Sequence, residues 1–168
     1  PWFVTGLMLI SLVSFIDDLS HVMRGIRLLT QLTAIILLLM QVGFPYAPWW
    51  IWGVTLFMAI GIINAFNIMD GINGMTAGYS LSVLIALWYV NNFLVPFIAN
   101  DLLCAAGIAI LLFGFYNFRT HARCFAGDVG PVSISFILIF LISKLILVSG
   151  NLSYLMFLII YGIDTFYT

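Results

Sequence analysis

The chain has 168 residues, 64% hydrophobic and 7% charged, with a net charge of −1 and a mean hydropathy of +1.22. Average soluble chains carry about 25% charged residues, so a soluble domain is excluded and the composition reads as a polytopic membrane protein. The near-neutral balance gives no reason to expect a nucleic-acid partner, and two cysteines, Cys104 in an apolar run and Cys124 in a polar loop, argue against a disulfide scaffold.

A membrane-crossing helix needs about 20 apolar residues, with about 17 tolerated. Seven runs reach or approach that length, at roughly 1–16, 28–44, 49–63, 75–91, 102–118, 131–149 and 152–168. They predict an all-α, polytopic transmembrane bundle of about seven spans, forming one integral-membrane unit over residues 1–168. Helices satisfy backbone polar groups in lipid segment by segment, and these runs are too long and too evenly apolar for barrel strands. The chain starts at Pro1 with no cleavable leader and stops inside the apolar run YGIDTFYT, so an internal piece of a longer protein is expected.

If each run crosses once, residues 17–27, 64–74 and 119–130 all fall on one face of the membrane. That face then carries Arg24, Arg27, Arg119 and Arg123, while Lys144 falls toward the other. Excess Lys and Arg marks the cytoplasmic side. Trp49, Trp50 and Trp52 fit an interfacial aromatic belt on the opposite side.

The same three connections hold four of the six carboxylates, all of which are Asp. A charged side chain at mid-membrane costs roughly 2.5–3.5 kcal/mol on insertion scales, so acids gathered at segment ends beside Gly and Asn suggest a site for a metal and phosphates. Asp17 and Asp18 close the first run. Adjacent carboxylates repel, which implies a cation partner or a raised pKa, and about 100° separates neighbouring helical residues, so only one of the two is expected to face the site. Arg24 and Arg27 follow at helical spacing, either as positive-inside residues or as bidentate phosphate clamps. In Asn64–Gly74 (NAFNIMDGING), a helical reading puts Asn64, Asn67, Asp70, Gly71 and Gly74 within an arc of roughly 120°, with Asn73 about 60° outside it. Amide and carboxylate oxygens are hard ligands suited to Mg²⁺, and glycines let a phosphate approach the backbone. A capped helix end is the plainer alternative. In FAGDVG, Asp128 precedes a helix expected to begin near Pro131; it serves as an N-cap or brings a cation to an anion-binding helix terminus. His21, His121 and Asp164 fall on the same predicted face with weaker cases for a role, and Asp101 reads as an exposed turn residue.

Together, an Asp-Asp closing one helix, N-x-x-N-x-x-D-G-x-N-G, and F-x-G-D-x-G before another helix resemble the polyprenyl-phosphate N-acetylhexosamine-1-phosphate transferases, a glycosyltransferase family 4 type. The resemblance runs in order from Phe15 to Gly130. Asn73 and the stretch Gly114–Phe118 (GFYNF) look more like the N-acetylhexosamine branch than the phospho-N-acetylmuramoyl-pentapeptide transferases of peptidoglycan synthesis. The resemblance implies a Mg²⁺-dependent reaction, with Mn²⁺ as a substitute, in the bacterial cytoplasmic membrane with the site loops cytoplasmic. A polyprenyl phosphate such as undecaprenyl phosphate attacks the β-phosphate of a UDP-N-acetylhexosamine, giving polyprenyl-diphospho-sugar and UMP and initiating cell-envelope polysaccharide synthesis. By motif, Asp128 and Asn67 would be metal ligands, Asp70 would support the metal or the diphosphate, and Asp17, with Asp18 beside it, would orient or deprotonate the lipid phosphate. Asn64, Gly71, Asn73, Arg24 and Arg27 would bind substrate phosphates. A homodimer is expected as well. Pro131 departs from the Ser usual after G-D-x-G, and the family's histidine loop would lie beyond Thr168, so the 168 residues alone are expected to be inactive. Two other classes compete. A membrane aromatic prenyltransferase would want acids at helical intervals, but Ser20 and His21 stand three and four residues after Asp17. An ion-coupled transporter would place its acids at mid-membrane on broken helices.

Overall fold

The computed structural model describes residues 1–43, 48–118 and 127–167, with side chains through Ile163. The sequence-predicted candidates Arg119, His121, Arg123 and Cys124 lie outside the described residues, as does the side chain of Asp164. Among the described residues seven α-helices run in order: α1 (Trp2–Leu19), α2 (Arg24–Val42), α3 (Trp49–Met69), α4 (Met75–Phe93), α5 (Asn100–Asn117), α6 (Val129–Ser149) and α7 (Ile159–Tyr167). The described residues contain no strand. Five helices, α1, α2, α3, α5 and α6, are long and apolar enough to cross a membrane, and the chain is an all-α, multi-pass membrane protein.

Two of the predicted spans take a different form. α4 has the length but carries Thr76, Ser80, Ser82, Asn91 and Asn92, which lower its hydropathy. The seventh run is not one α-helix. Leu152–Leu158 is a 3₁₀ helix, begun where the Asn151 side chain accepts the Ser153 N–H at 2.9 Å, and α7 follows it.

The helices group into two compact units: residues 1–67 with 127–140, and residues 68–126 with 141–168. In the first, α1 buries Gly6, Ile10 and Ser14, one residue per turn, against α2. α2 buries Gln31, Ala34, Ile35, Leu38, Leu39 and Val42, a stripe at helical spacing. Phe3 stacks on Phe136 and Phe140, and the Ser11 and Ser133 hydroxyls hydrogen-bond at 2.9 Å, tying α1 to the first half of α6. Helices associate in lipid through such close packing and interhelical hydrogen bonds, because lipid removes most of the hydrophobic drive.

In the second unit α4 packs on α5. Asn91 closes the loop between them: its Oδ1 accepts the Phe97 and Ile98 N–H groups, and its Nδ2 donates to the Ile98 carbonyl and to Asn100 Oδ1. The Tyr79 hydroxyl donates to the Phe157 carbonyl, and the Tyr79 ring lies 4.1 Å from that of Tyr161. Both units expose large apolar side chains, Met8, Leu12 and Phe57 in the first and Ile85, Leu112 and Ile160 in the second, as lipid-facing helices do.

Candidate active site

α1 ends on Asp17 and Asp18. Acids at a helix C-terminus oppose the macrodipole and need compensation. Asp17, whose side chain is 15% exposed, lies with Oδ2 3.2 Å from Arg27 Nη1, and its Oδ1 accepts the Val22 N–H at 2.8 Å. The second bond folds the connection back so that α2 starts beside the end of α1. The same Arg27 nitrogen is 3.2 Å from Asp128 Oδ2. One guanidinium therefore joins the end of α1 to the start of α6.

Asp18 acts elsewhere. Its two oxygens accept the backbone N–H of Asp128, at 3.0 and 3.1 Å, immediately before α6. The two acids thus take different partners, Asp17 the Arg27 guanidinium and Asp18 the Asp128 N–H, yet both join one cluster, where the 100° offset predicts that only one would face it. Gly127 makes the approach feasible. Its φ is +57°, a left-handed conformation, and a Cβ there would strike the Asp18 carboxylate.

α3 supplies the third edge. With its amide oriented so that Oδ1 accepts from Arg27 Nη2 at 2.5 Å, Asn67 donates through Nδ2 to Asp128 Oδ1 at 3.1 Å; the hydrogen-bond network fixes that orientation. Asn64, one turn earlier, donates Nδ2 to the Ile60 carbonyl at 3.0 Å. The helical arc predicted through Gly74 stops short, because α3 ends at Met69 and residues 70–74 form turns. Asp, Asn and Gly favour turns over helix interiors, and Asp70-Gly71 with Asn73-Gly74 concentrates them.

That turn belongs to the second unit, which anchors it independently. The Gly74 N–H donates to Asn117 Oδ1 at 2.6 Å, and Gly74 opens α4 with φ +83° under the Phe118 ring. The GFYNF stretch thus has a structural task, through Asn117 and Phe118.

In the first unit, an open cleft of about 320 Å³ is lined by Arg24, Arg27, Leu28, Gln31 and Asn64. Arg24 is exposed and makes no ion pair or hydrogen bond among the described residues, nor does exposed His21 in the α1–α2 connection. Gln31 was not singled out in the sequence. A glutamine in so apolar a helix, one turn beyond Arg27, was the available signal.

The immediate cluster of Asp17, Asp18 and Asp128 against Arg27 carries a formal −2, which suits a divalent cation. Among the described residues no three Asp, Glu, His or Cys side chains converge as a ready-made ligand set. Asp128 and Asn67, the expected metal ligands, both face Arg27 in this structure.

The family model described as glycosyl transferase family 4 matches residues 1–146. The chain is similar to a probable undecaprenyl-phosphate N-acetylglucosaminyl 1-phosphate transferase of Bacillus subtilis, 29% identical over 145 residues, 78% of this chain and 40% of that protein. It is similar to the phospho-N-acetylmuramoyl-pentapeptide-transferase of Thermotoga petrophila, 28% identical over 151 residues, 79% of this chain and 49% of the relative. The enzyme of the same name from Deinococcus radiodurans is 38% identical over 79 residues, 46% of this chain and 22% of the relative. The chain therefore spans less than half the length of these relatives. No solved structure matches it.

Proposed function

This chain belongs to glycosyl transferase family 4, and on that premise we propose that it is part of an enzyme moving an N-acetylhexosamine-1-phosphate from a UDP-sugar to a polyprenyl phosphate, releasing UMP. The observation that carries the reading is Arg27. It borders two chemically opposite spaces, the carboxylates of Asp17 and Asp128 on one side and the cleft of Arg24, Gln31 and Asn64 on the other. A divalent ion beside the acids and a phosphate in the cleft would then be neighbours, as phosphoryl transfer requires.

Catalysis in this chemistry comes chiefly from positioning and charge stabilisation. Asp128 and Asn67 would hold a Mg²⁺, which would supply neutralisation of charge on the diphosphate. Asp17 orients the lipid phosphate, whose second pKa near 6 leaves it mostly dianionic at pH 7, so proton removal is the lesser part of the role. Asp18 fixes the start of α6 and with it Asp128. For Asp70, Gly71 and Asn73 the proposal rests on the motif, with Asp70 supporting the metal or diphosphate and the turn admitting a phosphate to the backbone. The site loops face the cytoplasm of a bacterial inner membrane.

Asn73 and Gly114–Phe118 favour the N-acetylhexosamine branch, serving a cell-envelope polysaccharide. The second reading, transfer of phospho-N-acetylmuramoyl-pentapeptide, is favoured by the names of the Thermotoga and Deinococcus relatives. The test is exchange of labelled UMP into UDP-sugars, in membranes carrying these residues within their full reading frame. Mg²⁺-dependent exchange into UDP-N-acetylhexosamine is expected. Exchange into UDP-N-acetylmuramoyl-pentapeptide alone selects the second reading, and no exchange into either refutes both.

A further inference from the structure

Gln31 is 3% exposed, makes no side-chain hydrogen bond among the described residues, and keeps its carboxamide open to the cleft that it lines beside Arg27. Buried polar side chains are normally paired, so an amide left open to a cleft is available to a ligand. Arg24, Arg27, Leu28 and Gln31 follow one another at i, i+3, i+4 and i+7 and so share a face of α2. From exposed Arg24 to buried Gln31 that face extends for two turns, roughly 10 Å.

The lining decides what enters. Two guanidiniums and no carboxylate exclude a cation. Arg27 is held by Asp17 and Asp128, whereas Arg24 keeps its charge unpaired. At about 320 Å³ the cleft is at the small end of ligand sites, sized for an anionic headgroup rather than a whole nucleotide-sugar. At its buried end a carboxamide offers two N–H donors. We propose that Gln31 is a phosphate-binding residue, donating from Nε2 to a non-bridging oxygen of a phosphate monoester or diphosphate whose charge is met by Arg24. The proposal rests on the phosphotransfer reading and adds a residue to it. The phosphate comes either from the polyprenyl phosphate or from the nucleotide diphosphate.

The test is calorimetric titration of the protein in nanodiscs with three probes: farnesyl phosphate, UDP and inorganic phosphate. Gln31→Met keeps the length without the donors; Gln31→Glu keeps the shape and adds repulsion. Gln41→Met, at the other end of α2, is the control. Gln31→Met is expected to weaken binding of one phosphate probe about tenfold, the size of a lost hydrogen bond to a charged group, and Gln31→Glu to weaken it further. Gln41→Met should leave it unchanged. Weakening confined to farnesyl phosphate assigns the cleft to the lipid acceptor, and weakening confined to UDP assigns it to the donor; either supports the proposal. Wild-type affinities in both Gln31 variants overturn it while leaving the phosphotransfer reading standing. Loss of the helical circular-dichroism signal in both variants makes Gln31 structural and also overturns it. If the wild-type protein binds neither farnesyl phosphate nor UDP, the phosphotransfer reading fails and takes the proposal with it.

Discussion

The Asp18 carboxylate grips the backbone N–H of Asp128 with both oxygens, at 3.0 and 3.1 Å, across 110 residues of chain. The contact is an N-cap supplied in trans by another helix, and it sets the position of the Asp128 side chain. Removing a capping side chain costs about 1 kcal/mol. Asp18→Ala should lower the thermal midpoint in detergent accordingly, and Asp18→Asn, which keeps one acceptor oxygen, should lower it less. Equal midpoints for wild type and Asp18→Ala would show the cap to be energetically idle.

Gly127 is coupled to that grip. Gly127→Ala incurs strain at φ +57°, on the order of 1–2 kcal/mol, and also drives a methyl into Asp18. The steric part should vanish when Asp18 is shortened. A double-mutant cycle should therefore find Gly127→Ala less damaging in an Asp18→Ala background than in the wild type. Strict additivity would mean that the backbone strain acts alone.

Asp128 and Asp17 should differ in turnover. On the proposed reading Asp128 holds the metal, and losing such a carboxylate's charge removes several kcal/mol of transition-state stabilisation, so Asp128→Asn should lower kcat by about a hundredfold or more. Asp17→Asn should cost less, because the lipid phosphate needs little help to ionise. The ranking is wrong if Asp17→Asn abolishes turnover while Asp128→Asn, at saturating Mg²⁺, stays near normal.

Arg27→Gln should act in two directions at once. Among the described residues it removes the one positive charge paired with Asp17 and Asp128, taking the formal charge of that cluster with Asp18 from −2 to −3. Divalent-ion affinity, read by Mn²⁺ electron paramagnetic resonance, should rise, while turnover falls. Arg27→Lys should keep the affinity near wild type but recover turnover only in part, because a point charge cannot reproduce the fork that meets Asp17, Asp128 and Asn67. Unchanged Mn²⁺ affinity in Arg27→Gln would place the ion away from this cluster.

In the second unit, Asn117→Ala strips the Gly74 N–H of its acceptor at a buried position, a loss of about 1–3 kcal/mol. Amide hydrogen exchange across residues 70–78 should quicken, with the Asn91 loop unaffected. Gly74→Ala should do more harm, because it adds strain at φ +83° and a clash with Phe118. Unaltered exchange in Asn117→Ala would show that the turn holds without it.

Much of this arrangement was legible in the sequence. Hydropathy located α1 to α6 but missed the 3₁₀ start of the seventh run, and parity placed Asp17, Asp18, Arg27, Asn67 and Asp128 at segment ends on one side; the structure brings these five together. The helical arc failed beyond Met69 because the rotation rule assumes a helix that four Asp, Asn and Gly residues stop. Gln31 escaped because burial is a tertiary property, and one glutamine among leucines reads as noise until the space beside it is seen. The dual engagement of Arg27 was hidden for the same reason: spacing places it on α2 but cannot say which carboxylates come to meet it.

Arg27 also bears on how such a centre is made. Three aspartates crowded at a bilayer surface would push their helices apart while the bundle was still assembling. An arginine built into the same knot serves as a resident placeholder, so the polypeptide can finish inserting before any ion or lipid reaches it. On the proposed metal-dependent reading, maturation and loading become separate events, and starving cells of divalent ions should silence the protein without unravelling it.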